Sequence, residues 1–294
     1  MNIAFFIGEM NYRGVVNSTF QFALKNRINL KNKSIIFYDK TNVLNNKEVI
    51  KKFKKKFKTI PITNFLEIEN FKVKYNIDYI YIQKGGERDN FYSKKIKTLV
   101  HALYPQKINQ IHGYRYVYAS EWLSKNFSNY KIPYVPYMVE MHQTKKNLRK
   151  IFNIKKKQVV LGCHGGESSF NLKFAQDVIK KILESRTDIT FLFLNINKFC
   201  KHKRAIFLKG TIEENYKKKF LNTCDAMIYG RSLGESFGLA CAEFATLDKP
   251  IISYKFNRHK NHKLSLSKKK FYEYGSYSDL YNILMNYKIK SNLK

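Results

Sequence analysis

The chain has 294 residues, of which 44% are hydrophobic, and 55 basic against 22 acidic side chains give it a formal net charge of +33. This length suits two domains, and the charge indicates affinity for anions such as nucleotide phosphates, an anionic membrane surface or nucleic acid. No apolar run approaches about 18 residues, and the cysteines are scattered, which excludes a membrane-spanning helix, a disulfide framework and a zinc site.

Short apolar runs alternate with amphipathic stretches through the first half of the chain. The pattern predicts strands at Ile3–Ile7, Ser34–Tyr38, Asp78–Gln83, Thr98–Ala102 and Tyr116–Ala119. It predicts helices at Val16–Lys25, at Glu48–Phe57 and after Ser120, which is suited to be an N-cap. Strands that alternate with helices indicate a parallel, doubly wound sheet.

The prolines of Pro133-Tyr134-Val135-Pro136 interrupt this alternation and favour an extended connector. Beyond it we expect a basic helix at Lys145–Phe152, and then strands at Val159–Gly162, Thr190–Asn195, Ile206–Leu208, Ala226–Tyr229 and Ile251–Tyr254. Further helices are expected at Leu172–Glu184, Glu213–Thr223, Phe237–Thr246 and Ser278–Tyr287. The sequence therefore predicts Rossmann-like domains at residues 1–136 and 137–275, followed by a C-terminal helix and tail at 276–294.

Two carboxylates, Glu235 and Glu243, lie eight residues apart after an apolar strand. A helix that begins near Phe237 would point free N–H groups at a ligand in front of it, which favours a phosphate. Eight helical residues span roughly 12 Å, so the two carboxylates could hold both ends of a nucleotide-sugar by its hydroxyls. The alternative is a helix start whose acidic residues satisfy the helix dipole.

The same stretch resembles a known family signature. Glu-Ser-Phe-Gly-Leu at 235–239, with Glu243 and the following Lys249-Pro250-Ile251-Ile252, looks like the E-x7-E motif of retaining GT-B glycosyltransferases similar to glycosyltransferase family 4. Cys224–Arg231 resembles the strand that precedes this motif in the family. The resemblance implies an α/β fold of two Rossmann-like domains facing a central cleft. It also implies sugar transfer from a nucleoside-diphosphate-sugar with retention of configuration.

The resemblance assigns roles to the residues of the motif. Glu235 is expected to act in catalysis by contacting sugar hydroxyls, and Glu243 to contact ribose hydroxyls. Arg231 is expected to supply positive charge. Backbone N–H groups would be donated to sugar or phosphate by Ser236, Phe237, Gly238 and Leu239.

The loop after the first strand of the second domain departs from the family pattern. Relatives carry an Arg and a Lys here to hold the donor diphosphate, whereas this chain has Cys163 in place of the Arg and Ser168 or Ser169 near the Lys. His164, Lys173 and Arg231 are the expected substitutes. Alternatively, N–H groups of the loop, including that of Gly165, form an anion nest.

In the first domain, His101 resembles the family histidine that faces the transferred sugar, although a structural role, or His112 in its place, is the alternative. The loop from Gly8 to Gly14 could let backbone approach the ligand at Gly14, or be a plain turn, since it lacks G-x-G-x-x-G. The segment Lys84–Asp89 is expected on the acceptor side, with a surface turn as its alternative. Three histidines in basic loops are expected to face solvent: His202, His259 and His262.

The densest basic run is Lys51–Lys58. It fits a helix that buries Phe53 and Phe57 behind a solvated lysine face, and it also fits docking on an anionic membrane or an acidic polymer. Nucleic acid is a less favoured partner because no nucleic-acid-binding motif is present.

The sequence has no D-x-D motif and no His/Cys ligand cluster, so we expect no catalytic metal and no cofactor. The expected partners are a nucleotide-sugar donor, a glycan or lipid-linked acceptor and, peripherally, an anionic membrane. The expected location is the cytoplasm. The rival hypothesis is a non-catalytic protein that binds polyanions on the same scaffold, which the altered phosphate loop and the high charge both favour.

Overall fold

The structure, a computed structural model, describes residues 1–141, 144–264 and 271–288. The chain divides into two compact units, Met1–Met138 and Val139–Lys294. Each unit has its own hydrophobic core around a six-stranded sheet.

The sheet of the first unit is entirely parallel. Its strands are β1 (Asn2–Ile7), β2 (Lys33–Asp39), β3 (Lys58–Ile62), β4 (Tyr79–Lys84), β5 (Lys97–Ala102) and β6 (Arg115–Tyr118), in the spatial order β3-β2-β1-β4-β5-β6. The helices are α1 (Gly14–Ile28), α2 (Lys47–Lys54), α3 (Lys72–Tyr75) and α4 (Glu121–Ser128). Parallel strands are covered on both faces, which explains why β1 and β2 are nearly continuous apolar runs.

The second unit repeats this arrangement. Its parallel sheet contains β7 (Val159–His164), β8 (Ile189–Leu194), β9 (Ala205–Leu208), β10 (Ala226–Tyr229), β12 (Ile251–Tyr254) and β14 (Phe271–Tyr274), in the order β14-β12-β10-β7-β8-β9. A separate pair joins β11 (Gly234–Glu235) to β13 (His259–Lys260). The helices are α5 (Lys173–Ser185), α6 (Glu214–Thr223), α7 (Leu239–Thr246), α8 (Asn261–Leu264) and α9 (Tyr277–Asn286).

Both sheets follow the Rossmann order, in which the strand sequence reverses direction beside the first strand. In the second unit this reversal falls between β7 and β10, which are neighbours in the sheet. Ligands of such sheets bind outside the carboxyl ends of the strands at the reversal. The loops after His164 and Tyr229 are therefore the places where a site is expected.

The four cysteines all lie in the second unit and are free. Cys163, Cys224 and Cys241 are buried in its core, and Cys200 is partly exposed. Burial raises the pKa of every one of these thiols.

The structure corrects several predicted elements. The helix expected at Lys145–Phe152 is wrong: turns occupy 149–153, and Asn153 adopts a left-handed φ of 53° that ends them. The helix expected over Glu48–Phe57 ends at Lys54. The strands β3 and β14 were not predicted. β3 carries Pro61 and lies at the edge of its sheet, where a residue without an N–H is tolerated.

Candidate functional site

The Glu235 carboxylate lies just beyond the carboxyl end of β10. Its Oε1 accepts hydrogen bonds from the Tyr229 hydroxyl at 3.0 Å and from Arg231 Nη1 at 2.7 Å. Burial raises the pKa of Tyr229, so this phenol stays neutral and donates. About a quarter of the side chain remains exposed at both Glu235 (24%) and Arg231 (27%), which leaves a fixed carboxylate and a guanidinium accessible together.

A tight turn connects Glu235 to α7. Gly238 is the N-cap of α7 at a φ of 89°, a conformation that favours glycine. A Cβ atom there would lie 2.6 Å from the Cβ of His262, so space also requires glycine. The helix begins at Leu239, two residues later than predicted from the sequence. Its first N–H groups have no partner within the helix.

Glu243 is enclosed by protein rather than facing solvent. It is 1% exposed, and its two oxygens contact Lys217 Nζ and His164 Nε2, the latter at 2.9 Å. Burial alone would raise the pKa of Glu243, but the charges of Lys217 and His164 outweigh it and lower the pKa to about 2. The carboxylate that the sequence resemblance assigns to ribose is therefore ionised and already has two protein partners.

His164 ends β7 and lies beside this buried carboxylate. Its ring stacks on Phe244 with centroids 6.0 Å apart and meets Phe220 edge-on at the same distance. These contacts hold the imidazole at the strand reversal, at the start of the loop that contains Gly165.

The rest of the predicted phosphate loop divides into buried and exposed parts. Cys163 points into the core and is 2% exposed, so it cannot take over the role of the family arginine. The carbonyl of Gly165 accepts a hydrogen bond from Asn195 Nδ2 at 2.7 Å. Lys173 begins α5 with its side chain 75% exposed, and its nearest carboxylate, that of Asp177, is 3.9 Å away.

Gly14 and His101 belong to the first unit, whereas the other ten predicted site residues belong to the second. Gly14 is exposed and begins α1. His101 is 1% exposed, with Nδ1 2.6 Å from the Tyr81 hydroxyl and its ring edge-on to Phe22 and Tyr137. Burial lowers its pKa to about 4, so His101 is neutral at pH 7. Its expected contact with sugar stays a prediction.

His112, the alternative to His101, is also buried, at 7% exposure. Its Nδ1 lies 2.7 Å from the carbonyl of Gln110, and its Nε2 lies 3.2 Å from Lys84 Nζ. These contacts tie His112 to the last residue of β4 and to the turn that precedes His112.

Sequence reasoning missed the residues that surround the two carboxylates. Tyr229 contacts Glu235 and Lys217 contacts Glu243. Tyr229 lies in the strand that resembles the family pattern but was given no role, and Lys217 stands in no motif. The expectation that His259 and His262 face solvent is wrong, because they are 4% and 1% exposed. Burial, with the charges of Lys263 and Arg231, lowers the pKa of His262 to about 3.

Across residues 1–141, 144–264 and 271–288, no group of three or more His, Cys, Asp or Glu side chains could hold a metal ion. In the same part of the chain, no helix is both long and apolar enough to cross a membrane.

Comparison with solved structures identifies the architecture. The chain is similar over 97% of its length to a glycosyltransferase from Rickettsia africae, at 13% identity and a TM-score of 0.68, covering 87% of that chain. It is similar over 97% of its length to Anabaena HepE in complex with UDP-glucose, at 11% identity and a TM-score of 0.71, covering 89% of that chain. A third is WaaG, a glycosyltransferase of lipopolysaccharide biosynthesis, at 10% identity and a TM-score of 0.63, covering 96% of this chain and 89% of that one.

The chain has the GT-B fold. This confirms the predicted fold class of two Rossmann-like domains. No protein-family model and no curated protein matches the sequence.

Proposed function

We propose that the chain transfers a sugar from a nucleoside-diphosphate-sugar to a glycan or lipid-linked acceptor, with retention of anomeric configuration. The observation that carries the proposal is the Glu235 group. A carboxylate oriented by Tyr229 and Arg231 stands at the strand reversal of the second sheet, directly before a glycine turn and a helix N-terminus. Anabaena HepE, which shares the fold, was solved with UDP-glucose.

Each part of this group has a role in the proposed reaction. Glu235 accepts hydrogen bonds from hydroxyls of the transferred sugar, and Arg231 balances the charge of the departing diphosphate. N–H groups of 236–239 point at sugar or phosphate oxygens, as helix N-termini do in other anion sites. The rate gain then comes from positioning the donor and from stabilising the leaving group as its charge develops.

The binding test is calorimetry with a panel of UDP-, GDP-, ADP- and TDP-sugars, followed by donor hydrolysis and acceptor transfer. Arg231→Gln should weaken binding of the selected donor by about tenfold or more, the effect expected of a lost hydrogen bond between charged groups. Glu235→Gln should lower turnover more than it lowers binding. Glu184→Gln, which removes an exposed carboxylate on α5, is the matched control and should change neither.

Two outcomes would contradict the proposal. Failure of the wild-type chain to bind any member of the panel, combined with tight, salt-sensitive binding of RNA or an acidic polymer, would favour a non-catalytic polyanion-binding protein. Proton NMR coupling constants show the anomeric configuration of the product. An inverted configuration would contradict retention but not sugar transfer.

We further propose that the reaction needs no divalent metal. The sequence has no D-x-D motif, and 55 basic side chains are available to balance a diphosphate. Turnover should therefore persist in EDTA. Loss of turnover in EDTA that Mg²⁺ or Mn²⁺ restores would show that a cation stabilises the leaving group.

A further inference from the structure

The segment Asn257–His262 lies against residues 231–239, which we call the Glu235 loop. Asn257 is 1% exposed, and its Nδ2 donates to the carbonyl of Arg231 at 2.6 Å and to that of Ser232 at 3.3 Å. A buried side-chain amide is costly without such partners. Asn257 therefore fixes the first part of the loop.

Backbone pairing fixes the middle of the loop. β11 pairs with β13, with Gly234 opposite His259 and Glu235 opposite Lys260. The N–H of His259 also donates to the carbonyl of Leu233 at 2.8 Å. Gly234 adopts a φ of 75°, and a Cβ atom there would lie 2.0 Å from the carbonyl oxygen of His259. The two backbones approach too closely for any other residue at this position.

Asn261 fixes the end of the loop, where its Nδ2 donates to the carbonyl of Phe237 at 2.8 Å. The C=O of Phe237 and the N–H of Gly238 belong to one planar, trans peptide unit, so they point in opposite directions. Holding this carbonyl therefore points the N–H of Gly238 away from Asn261. That N–H is one of the donors proposed to meet the nucleotide-sugar.

His262 packs against the same turn at Gly238. It is 1% exposed, its Nε2 lies 3.2 Å from the hydroxyl of Ser253, and a Cβ atom at Gly238 would lie 2.6 Å from its own Cβ. Its ring lies 5.0 Å from that of Tyr229, whose hydroxyl binds the Glu235 carboxylate. His262 therefore packs against the turn at Gly238 and against the phenol that binds the Glu235 carboxylate.

We infer that Asn257, Asn261 and His262 are positioning residues for the donor site, acting through the Glu235 loop. The inference rests on the proposed function, because it assigns the loop to a nucleotide-sugar. All three side chains are buried against the loop: the two amides donate to its carbonyls, and the His262 side chain packs against Gly238. They hold the loop without contacting the ligand.

The test uses Asn261→Asp in the full chain, since aspartate keeps the shape but loses the amide donor. Asn222→Asp is the matched control: Asn222 Nδ2 also donates to a backbone carbonyl, that of Lys146 at 3.0 Å, outside the Glu235 loop. Hydrogen exchange should speed up about two- to tenfold at the amides of 234–239 in Asn261→Asp only, the effect of one net hydrogen bond. Binding of UDP and UDP-glucose, the probes used, should weaken about two- to tenfold at a temperature well below the Tm of the variant, where the chain is folded.

The two proposals fail in distinguishable ways. The positioning role would be overturned if Asn261→Asp and Asn222→Asp showed the same exchange rates at 234–239 and the same affinity for UDP. That result would leave the proposed function intact. A wild-type chain that binds no nucleotide or nucleotide-sugar would overturn the proposed function and the donor-site role with it. Faster exchange spread over the whole second unit, rather than confined to 234–239, would show that Asn261 stabilises the fold and does not position the site.

Discussion

At the scale of single residues, the burial of Glu243 sets the energetics of the candidate site. A carboxylate transferred from water into a protein core is stable only when charged or hydrogen-bonding partners replace its hydration. Lys217 and His164 supply that replacement and hold the pKa of Glu243 at about 2. A substitution here therefore removes a buried ion cluster as well as any contact with a donor.

We predict that Glu243→Gln lowers the free energy of unfolding at pH 7 by about 3 kcal/mol, because a buried ion pair that loses one partner leaves the other uncompensated. The folded-state pKa is lowered, so the stabilisation is complete above about pH 4.5 and is lost as the pH falls toward 2. Denaturant unfolding of wild type and Glu243→Gln from pH 7 to pH 3 measures their free energies of unfolding. The difference between the two free energies should become smaller below pH 4.5.

Glu184→Gln is the control for this experiment, because its carboxylate is 69% exposed and pairs with Lys181 on the same helix. Exposed pairs of this kind contribute about 0–1 kcal/mol. If Glu243→Gln were as stable as Glu184→Gln at pH 7, the contacts of Glu243 with Lys217 and His164 would not stabilise the fold.

The sequence could identify Glu235 and the glycine turn because their pattern is local: a strand, a carboxylate and a helix start all lie between Ala226 and Leu239. It could not identify Lys217 or Asn261 as neighbours, since they contact Glu243 and Phe237 over separations of 26 and 24 residues. Such contacts arise only from tertiary packing. The burial of His262 was missed for the same reason, because flanking lysines suggested an exposed loop.

At the scale of elements, α2 combines the buried and solvated faces expected of the basic run. Phe53 is 1% exposed and meets Phe20 edge-on, and Lys52 lies over the same ring at 4.5 Å. Lys51, Lys54 and Lys55 are exposed. Lys52 thus stabilises the packing of α2, whereas the other three lysines are available to an anionic surface.

We predict that exchanging Lys51, Lys54 and Lys55 for Gln weakens binding to vesicles that contain phosphatidylserine. Each lysine near such a surface contributes about 1 kcal/mol, and the attraction is screened within about 8 Å at physiological ionic strength. Vesicle co-sedimentation at low and high salt measures the effect. Hydrolysis of a small donor should be unchanged.

The matched control exchanges Lys155, Lys156 and Lys157, three exposed lysines of the second unit, for Gln. It removes the same charge at a different place. Equal loss of vesicle binding in both variants would mean that net charge, rather than α2, drives the attraction. No loss in either would leave the lysines of α2 as a solvated face.

Short, nearly continuous apolar runs made most central strands predictable, as at β8, where all six residues are buried. Edge strands are half-exposed and carry residues that propensity rules assign elsewhere, such as Pro61 in β3. The stretch at 145–152 has helix-forming composition, but tertiary contacts replace the helix there. The N–H of Leu148, for example, donates to the hydroxyl of Thr223 at 2.7 Å.

At the scale of the whole molecule, buried neutral histidines couple stability to pH. Burial lowers the pKa of His101 in the first unit to about 4 and that of His262 in the second to about 3. Below about pH 6.5 the unfolded chain binds protons at these positions while the folded chain does not. Stability is therefore lost as the pH falls, by about 1.4 kcal/mol per pH unit for each histidine.

We predict that unfolding at pH 5.5 takes up about one proton at each of these two histidines. Calorimetry in buffers of different ionisation enthalpy measures the uptake, and His262→Gln should reduce it by about one. His202→Gln, which removes a half-buried histidine from the chain surface, is the comparison. Equal uptake by wild type and His262→Gln would show that His262 is protonated in the folded state.

The distribution of cysteines makes the two units chemically distinguishable. Only a thiolate reacts with disulfide reagents, and three of the four thiols are buried with raised pKa values. Burial also raises the pKa of Cys200, but this thiol is partly exposed. We therefore predict that Cys200 is modified before the other three in the native chain and that all four are modified in denaturant, as counted by mass spectrometry. Because the first unit contains no cysteine, the rate at which the other three thiols are modified reports the opening of the second unit alone. A fluorophore attached at Cys200 would likewise report on that unit without a label on the other.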